Sequence, residues 1–349
     1  MKNTGRFTEK GSYLIEHPDT PTKWENKLFN DEYVLDITQR LEGIGSIVEN
    51  YVQSPILDSA RRFYLKYNGV ETRLFCGNLG TFSAEYDIDK MIVCEENDTI
   101  KVVAEVTVPA KGKYELWRFT VESKVNDDIQ CDLFCFYPFA NKGPMGAETK
   151  LSDNKKYVSK FSFPHHAKYE EKARVEKNHG YTFVLADTEI SSFDGVAHAF
   201  YGSDNTEAIP VAVKNGSCSN TKGQGDRVDA AVHFSRKITG GKTFRVTLML
   251  GPSNTAEEIE VLSANTPDFD TVCKESEAFR KKAYAGYTID TPNQEMNYLF
   301  NLWLPKQVVY LTRLNRGGVC CPVRNQLQDA LGYSILDPKG ALEFALRVL

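Results

Sequence analysis

The 349-residue sequence has no apolar run of membrane-spanning length, no basic run, no zinc-type cysteine spacing and no phosphate-loop pattern. Each absence excludes a class of function. A helix crossing a bilayer needs about 20 consecutive apolar residues, so no membrane partner is expected. With 42 basic against 47 acidic residues, net −5, nothing favours nucleic acid. Met1 to Gly11 is polar and lacks the apolar core of a secretory leader. Eight cysteines lie scattered at positions 76, 94, 131, 135, 218, 273, 320 and 321, many in apolar contexts, as buried free thiols do. A reducing, cytoplasmic compartment follows as the expectation.

Several small clusters carry bland readings. Adjacent side chains on a strand point to opposite faces, so His165-His166 with Glu170 and Glu171 reads as a solvated turn rather than a metal site. Gly223-Gln224-Gly225-Asp226 lacks the phosphate-loop lysine and reads as a loop. Asp226, Arg227 and Asp229 read as solvated residues before a strand, Cys320-Cys321 as packing, and Trp24 as a core residue. No metal and no cofactor are expected.

What is present is a long β-rich region followed by helices. Hydrophobic content of 41% with 17 Tyr and 20 Phe is ample for a core. Arg61–Tyr67 and Val70–Phe75 flank Asn68-Gly69, a hairpin signal. Tyr114–Val125 alternates, with Trp117, Phe119 and Val121 on one face, and the near-continuously apolar Gln130–Ala140 suits a central strand. Gly240-Gly241 between Ala230–Ile238 and Thr243–Leu250 predicts another hairpin. Many strands with few helices argue for an antiparallel sandwich over 1–253.

The period then changes. Asn254 with Glu257 starts a helix to about Ala264, and Asp268–Ala283 forms a second with Val272, Ser276 and Phe279 inward. Thr291-Pro292-Asn293-Gln294 opens a third, which should bury Met296, Leu299, Phe300, Trp303 and Leu311 and kink at Pro305. Asp337-Pro338 caps the last, an apolar segment with more exposed hydrophobic surface than three helices can bury, which points to an N-terminal piece of something longer. The division is a sandwich over 1–253, a helical linker over 254–290 and a further helical unit over 291–349.

Between the last helices lies Arg316-Gly317-Gly318-Val319-Cys320-Cys321-Pro322-Val323-Arg324-Asn325-Gln326-Leu327-Gln328-Asp329. Guanidinium, amides and carboxylate beside apolar residues suit a sugar, whose hydroxyls both donate and accept. A helix opening at Pro322 puts Asn325 with Asp329 and Arg324 with Gln328. Arg324 and Asp329 are then about 140° apart around the axis and converge only through an irregular first turn. A solvated first turn with a self-paired Arg and Asp is the competing reading.

The order of parts resembles the N-terminal portion of inverting glycoside phosphorylases of the cellobiose and chitobiose phosphorylase family. Tyr13 to Asn26, with Thr20-Pro21 before Trp24, resembles the family's opening. Val108-Pro109 to Trp117-Arg118 resembles its paired strands, Asn297–Leu314 its first barrel helix, and Arg324-Asn325-Gln326-Leu327-Gln328-Asp329 its Arg-Asp-Gln-Leu-Gln-Asp signature. The resemblance implies an α+β fold: a large antiparallel β-sandwich (a supersandwich), a helical linker and the first helices of an (α/α)6 barrel. It implies cleavage of a β-linked gluco-disaccharide or oligosaccharide by inorganic phosphate, with inversion, to an α-sugar 1-phosphate, and a homodimer. Arg324 and Asp329, with Asn325 and Gln328, would bind the non-reducing sugar. Asn325 departs from the family's Asp, which puts the sugar preference in question. No catalytic residue lies in this chain; the general-acid Asp is expected beyond Leu349, so the chain alone should be inactive. A non-catalytic carbohydrate-binding or assembly module, and a hydrolase on the same architecture, are the alternatives.

Overall fold

The computed structural model describes residues 5–49, 52–140, 147–162, 180–203, 207–225, 227–284, 286–314 and 322–349. Among these, the strands form three antiparallel sheets of 11, 5 and 4 strands. The largest runs from the edge strand Arg6–Phe7 to Gly223–Gly225 and includes Ile100–Thr107, Glu115–Ser123 and Thr243–Ser253. The five-stranded sheet is centred on Ile129–Pro138, between Asp229–Ile238 and Arg62–Tyr67. The four-stranded sheet holds Glu25–Phe29, Tyr33–Thr38, Gly43–Glu49 and Val52–Leu57.

Alternation decides which side chains meet. Trp117, Phe119 and Val121 are fully buried on one face of their strand. They meet Phe63 of the smaller sheet, whose ring lies 5.6 Å from Trp117 and 5.2 Å from Phe119. Edge-to-face and tilted contacts at such distances are the favoured aromatic geometry. Ile129–Pro138 is covered on both faces, as its apolar run predicts. Its odd residues join the main core, and Phe134 and Phe136 pack against the short helices α1 (Ala197–Tyr201) and α2 (Val211–Asn215).

At the centre sits a fully buried ion pair. Arg61 Nη1 donates to Glu115 Oε2 at 3.0 Å, Nη2 lies 2.9 Å from Oε1, and the guanidinium stands over Trp117. Burial holds the Glu115 carboxyl above its ordinary range although Arg61 opposes this. Gly45 makes room: a Cβ there would lie 2.2 Å from the Tyr33 hydroxyl.

Asn68 and Gly69 have φ of 46° and 82°, the left-handed pair that a two-residue hairpin turn requires, and the flanking strands pair in register. The second predicted hairpin does not form. Asp229–Ile238 pairs with Ile129–Pro138, whereas Thr243–Ser253 pairs with Glu115–Ser123, so Gly240-Gly241 carries the chain from one sheet to the other. Close approach demands the glycine, since a Cβ on Gly240 would fall 1.8 Å from Asn126 O. Gly223–Gly225, read as a loop, is a short strand paired with Ala147–Leu151. Trp24 is not core: it is 36% exposed and stacks on Tyr13 at 4.9 Å. His165-His166, Asp226 and Cys320-Cys321 lie outside the described residues.

Two helices follow the strands. In α3 (Ala256–Ala264) the capping box sits one residue later than expected: Thr255 accepts from Glu258 N–H, and the Glu258 carboxylate accepts from Asn254 N–H. In α4 (Phe269–Ala283) Asp268 is the N-cap. Val272 and Ser276 face inward, but Phe279 is 37% exposed and Arg280 is buried instead. The guanidinium of Arg280 donates to Asp89 and to the Val108 and Phe29 carbonyls, which is why a cation can occupy an inner position.

The C-terminal helices cross the four-stranded sheet. Asn293, not Thr291, caps α5 (Gln294–Tyr298). A π-helical turn, Leu299–Trp303, links it to α6 (Leu304–Arg313). The turn stands just before Pro305, whose missing N–H and ring disrupt the regular ladder. Met296 and Leu299 are exposed, contrary to expectation; the buried face is Asn297, Pro305, Lys306, Val309 and Tyr310. Two helices remain, α7 (Val323–Tyr333) and α8 (Pro338–Val348), the latter capped by Asp337 accepting from Gly340 N–H. Among the described residues no helix is long and apolar enough to cross a membrane.

Candidate sugar-binding helix

Helix α7 carries all four candidate residues. Its first turn is tight: Asn325 N–H and Gln326 N–H both reach Pro322 O, at 2.9 and 3.2 Å. Pro322 stands outside the helix as its N-cap, so the segment opens one residue later than expected. Arg324 and Gln328 share an exposed face, Asn325 and Asp329 are half-buried, and the inner face is Ala330 and Tyr333. The exposed line continues through Leu331, 73% exposed, and Ile335, 61% exposed. With regular turns, Arg324 and Asp329 stand about 140° apart around the axis.

The other side of α7 is anchored. Thr312 Oγ1 donates to Asp329 O at 3.3 Å, tying α7 to α6. Tyr333 donates to Asp337 Oδ2 at 3.2 Å, and burial pushes its hydroxyl up to about 12. Below this contact is a cavity of about 620 Å³, lined by Asp31, Arg313, Tyr333, Asp337, Glu343 and Arg347 among others. Arg313 pairs with Asp31 across it, joining α6 to the four-stranded sheet. Neither Arg324 nor Asp329 lines this cavity. The helix thus presents a guanidinium and amides outward beside uncovered leucine and isoleucine, a mixture that suits a sugar's hydroxyls and its C–H face.

The junction beneath is built on residues that periodicity does not single out. Lys306 is 5% exposed, donates to Asn26 Oδ1 at 2.6 Å and lies over the Trp303 ring. Burial, with Arg280 nearby, pushes its amine down to about 7. Lys27 pairs with Asp36 and lies over Tyr310, itself packed on Phe29. A lysine at an inner-face position of α6 was the available signal. Another buried titratable group is Asp229, read from the sequence as solvated. It is 7% exposed, accepts from Ala197 N–H at 3.1 Å, and burial pushes its carboxyl up to about 6. Among the described residues no group of three His, Cys, Asp or Glu side chains is gathered as metal ligands would be.

Comparison with known proteins gives this architecture its place. Residues 72–268 match the family described as glycosyl hydrolase 94, supersandwich domain. The chain is 31% identical over 355 residues to a 3-O-β-D-glucopyranosyl-β-D-glucuronide phosphorylase of Paenibacillus borealis, covering 99% of this chain and 46% of that protein. It is 20% identical over 317 residues to an N,N′-diacetylchitobiose phosphorylase of Vibrio furnissii, covering 83% of this chain and 38% of that protein. The chain therefore spans less than half the length of these curated relatives. Its fold is similar to that of a solved protein described as a kojibiose phosphorylase from the human microbiome, with a TM-score of 0.53, 9% identity, and coverage of 88% of this chain and 42% of that one. The chain belongs to the glycosyl hydrolase 94 family, whose supersandwich domain matches it over residues 72–268.

Proposed function

We propose that this chain is the sandwich and barrel-entry part of a glycoside phosphorylase that cleaves a β-linked gluco-disaccharide or oligosaccharide with inorganic phosphate and inversion. The product is an α-sugar 1-phosphate. The observation that carries the reading is the 31% identity, over 99% of this chain, to a protein named as a glucosyl-glucuronide phosphorylase. Residues 1–253 are the sandwich, 254–290 the linker and 291–349 the opening of the (α/α)6 barrel. Further barrel helices would cover Leu331, Ile335, Leu342 and Leu346, which are all largely exposed.

In this reading α7 forms one wall of the donor subsite. Arg324 and Gln328, which share the exposed face, hold hydroxyls of the non-reducing sugar, and Asn325 and Asp329 reach the same sugar only when the first turn departs from the regular helix. Asn325 brings a neutral amide where the signature has a carboxylate, so it can both donate to and accept from a sugar hydroxyl. Phosphate arrives already anionic and replaces both the attacking water and its base. One carboxylic acid then suffices, to protonate the leaving oxygen, and that acid lies beyond Leu349. Inorganic phosphate is the co-substrate and no other cofactor is needed. The whole protein works in the cytoplasm as a homodimer.

The test is sugar 1-phosphate release by the whole protein from a panel of β-linked glucosides, beginning with 3-O-β-D-glucopyranosyl-β-D-glucuronide. Release that requires phosphate supports the reading. Release of free sugar at the same rate without phosphate makes the protein a hydrolase, and no release from any β-linked glucoside removes the activity.

A further inference from the structure

A cavity of about 820 Å³ opens where α1 meets the outer face of the five-stranded sheet. It is larger than the one under α7, and its volume falls within the range of about 300–1,000 Å³ typical of ligand sites. Its wall includes Phe136, His198, Tyr201, Arg227, Asp229 and Asp58. No residue of α5 to α8 lines it.

The wall is built rather than incidental. Phe136 and Tyr201 meet edge to face at 4.9 Å, and Phe200 stacks on Phe136 at 5.4 Å, which fixes an aromatic base. Asp229 opens the strand Asp229–Ile238, and its backbone N–H donates to Gly195 O at 2.9 Å, so its position is set by the sheet. Its carboxylate has one hydrogen bond among the described residues, from Ala197 N–H to Oδ2. The other oxygen therefore keeps acceptor capacity next to the cavity. Burial raises this carboxyl, as expected of a group with too few partners.

The charges narrow the ligand class. Glu207 is already paired with Arg62 and Arg73. That leaves the carboxylates of Asp58 and Asp229, the guanidinium of Arg227 and the imidazole of His198 on the wall. Two carboxylates against one guanidinium give a polyanion no net attraction, and the set as a whole is mixed. It gives a ring of hydroxyls both donors and acceptors, above an aromatic floor whose rings are themselves buried.

We propose that this cavity binds a neutral saccharide, one or two glycosyl units of an oligosaccharide, on the sandwich itself. The choice of saccharide over other neutral polar ligands rests on the carbohydrate reading above; the existence of the site does not. Asp229 and Arg227 hold hydroxyls, and the buried Phe136–Tyr201 pair gives the cavity a rigid floor.

The experiment uses the whole protein in the absence of phosphate, so that no turnover occurs. Laminaritriose is titrated by calorimetry, and amide hydrogen exchange is followed at 129–139 and 196–203. Four proteins are compared: the parent, Arg324→Ala, Arg227→Ala with His198→Ala, and all three together. Arg227 and His198 are exposed, and unchanged melting of their variant establishes folding. The expected result is slowed exchange at 196–203 in the parent and in Arg324→Ala, with at least tenfold weaker binding at that site when Arg227 and His198 are replaced. Protection that is absent at 196–203, or unchanged in the double variant, overturns the site. Equal protection by inorganic phosphate alone overturns the ligand class. Phosphorolysis is not part of the readout, so its absence from the protein would leave this result standing, and the reverse.

Discussion

Replacing Lys306 by methionine should stabilise the protein in acid and destabilise it in alkali. The amine is fully enclosed between α6 and the four-stranded sheet, with Arg280 and Lys27 raising the cost of its charge and Asp87 and Asp89 lowering it. A fall from 10.5 to about 7 corresponds to roughly 5 kcal/mol against the charged form. The sign follows from proton uptake. Between pH 7 and 10.5 the unfolded chain holds the proton and the folded chain does not, so stability rises with pH across that window. Below pH 7 both states are charged and the full penalty stands. Lys306→Met removes the penalty but strands Asn26 Oδ1, which now accepts from Nζ at 2.6 Å. A buried acceptor left alone costs about 1–3 kcal/mol. The variant should therefore be more stable than the parent by about 2–4 kcal/mol at pH 6, and less stable by about 1–3 kcal/mol above pH 10. Urea unfolding of both proteins at pH 6, 8 and 10 reads this directly. A difference between them that stays constant with pH would refute the reasoning.

Glu115→Ala leaves the Arg61 guanidinium buried without its partner and should lower stability by about 3–5 kcal/mol, whereas Arg61→Met with Glu115→Leu should cost much less; denaturant midpoints of the two variants decide. Asp229 has the opposite sign to Lys306: its carboxyl is raised to about 6, so its contribution is full below its unfolded value and lost as pH rises through 6. Asp229→Asn should accordingly stabilise the protein by about 2–3 kcal/mol at pH 8 and by little at pH 4, and melting temperatures at the two pH values check it. Arg324→Ala should lower kcat/KM of the whole protein by roughly ten- to a hundredfold, the worth of one charged hydrogen bond, with melting unchanged because the side chain is exposed.

What the sequence disclosed was mostly local. Asn68-Gly69 specifies its turn through two left-handed backbone positions, and Asp337-Pro338 specifies a helix start, so both are readable from neighbours alone. Gly240-Gly241 carries the same local signal, yet the flanking strands separate because Asp229–Ile238 and Thr243–Ser253 find their partners far earlier in the chain, in Ile129–Pro138 and Glu115–Ser123. Burial at polar positions was equally hidden. Arg280 and Lys306 take inner helical positions only because Asp89, in the turn before Lys90–Glu96, and Asn26, on a strand, wait for them. Phe279, Met296 and Leu299 lie outside because the surfaces that would cover them are not supplied by these strands. The candidate site divides in the same way. Its helix and the sharing of a face by Arg324 and Gln328 follow from spacing, although the start falls one residue late, but what meets that face is not encoded nearby. Asp229 was passed over because charged neighbours suggested solvent, while its register in a central strand dictates burial.

The account rests most heavily on phosphate as the nucleophile. A proton and phosphorus NMR time course of the whole protein with 3-O-β-D-glucopyranosyl-β-D-glucuronide and inorganic phosphate tests this at the reacting carbon. The prediction is α-glucose 1-phosphate as the first product, formed in step with phosphate consumption. Free glucose appearing first, or a β-configured phosphate, would contradict it.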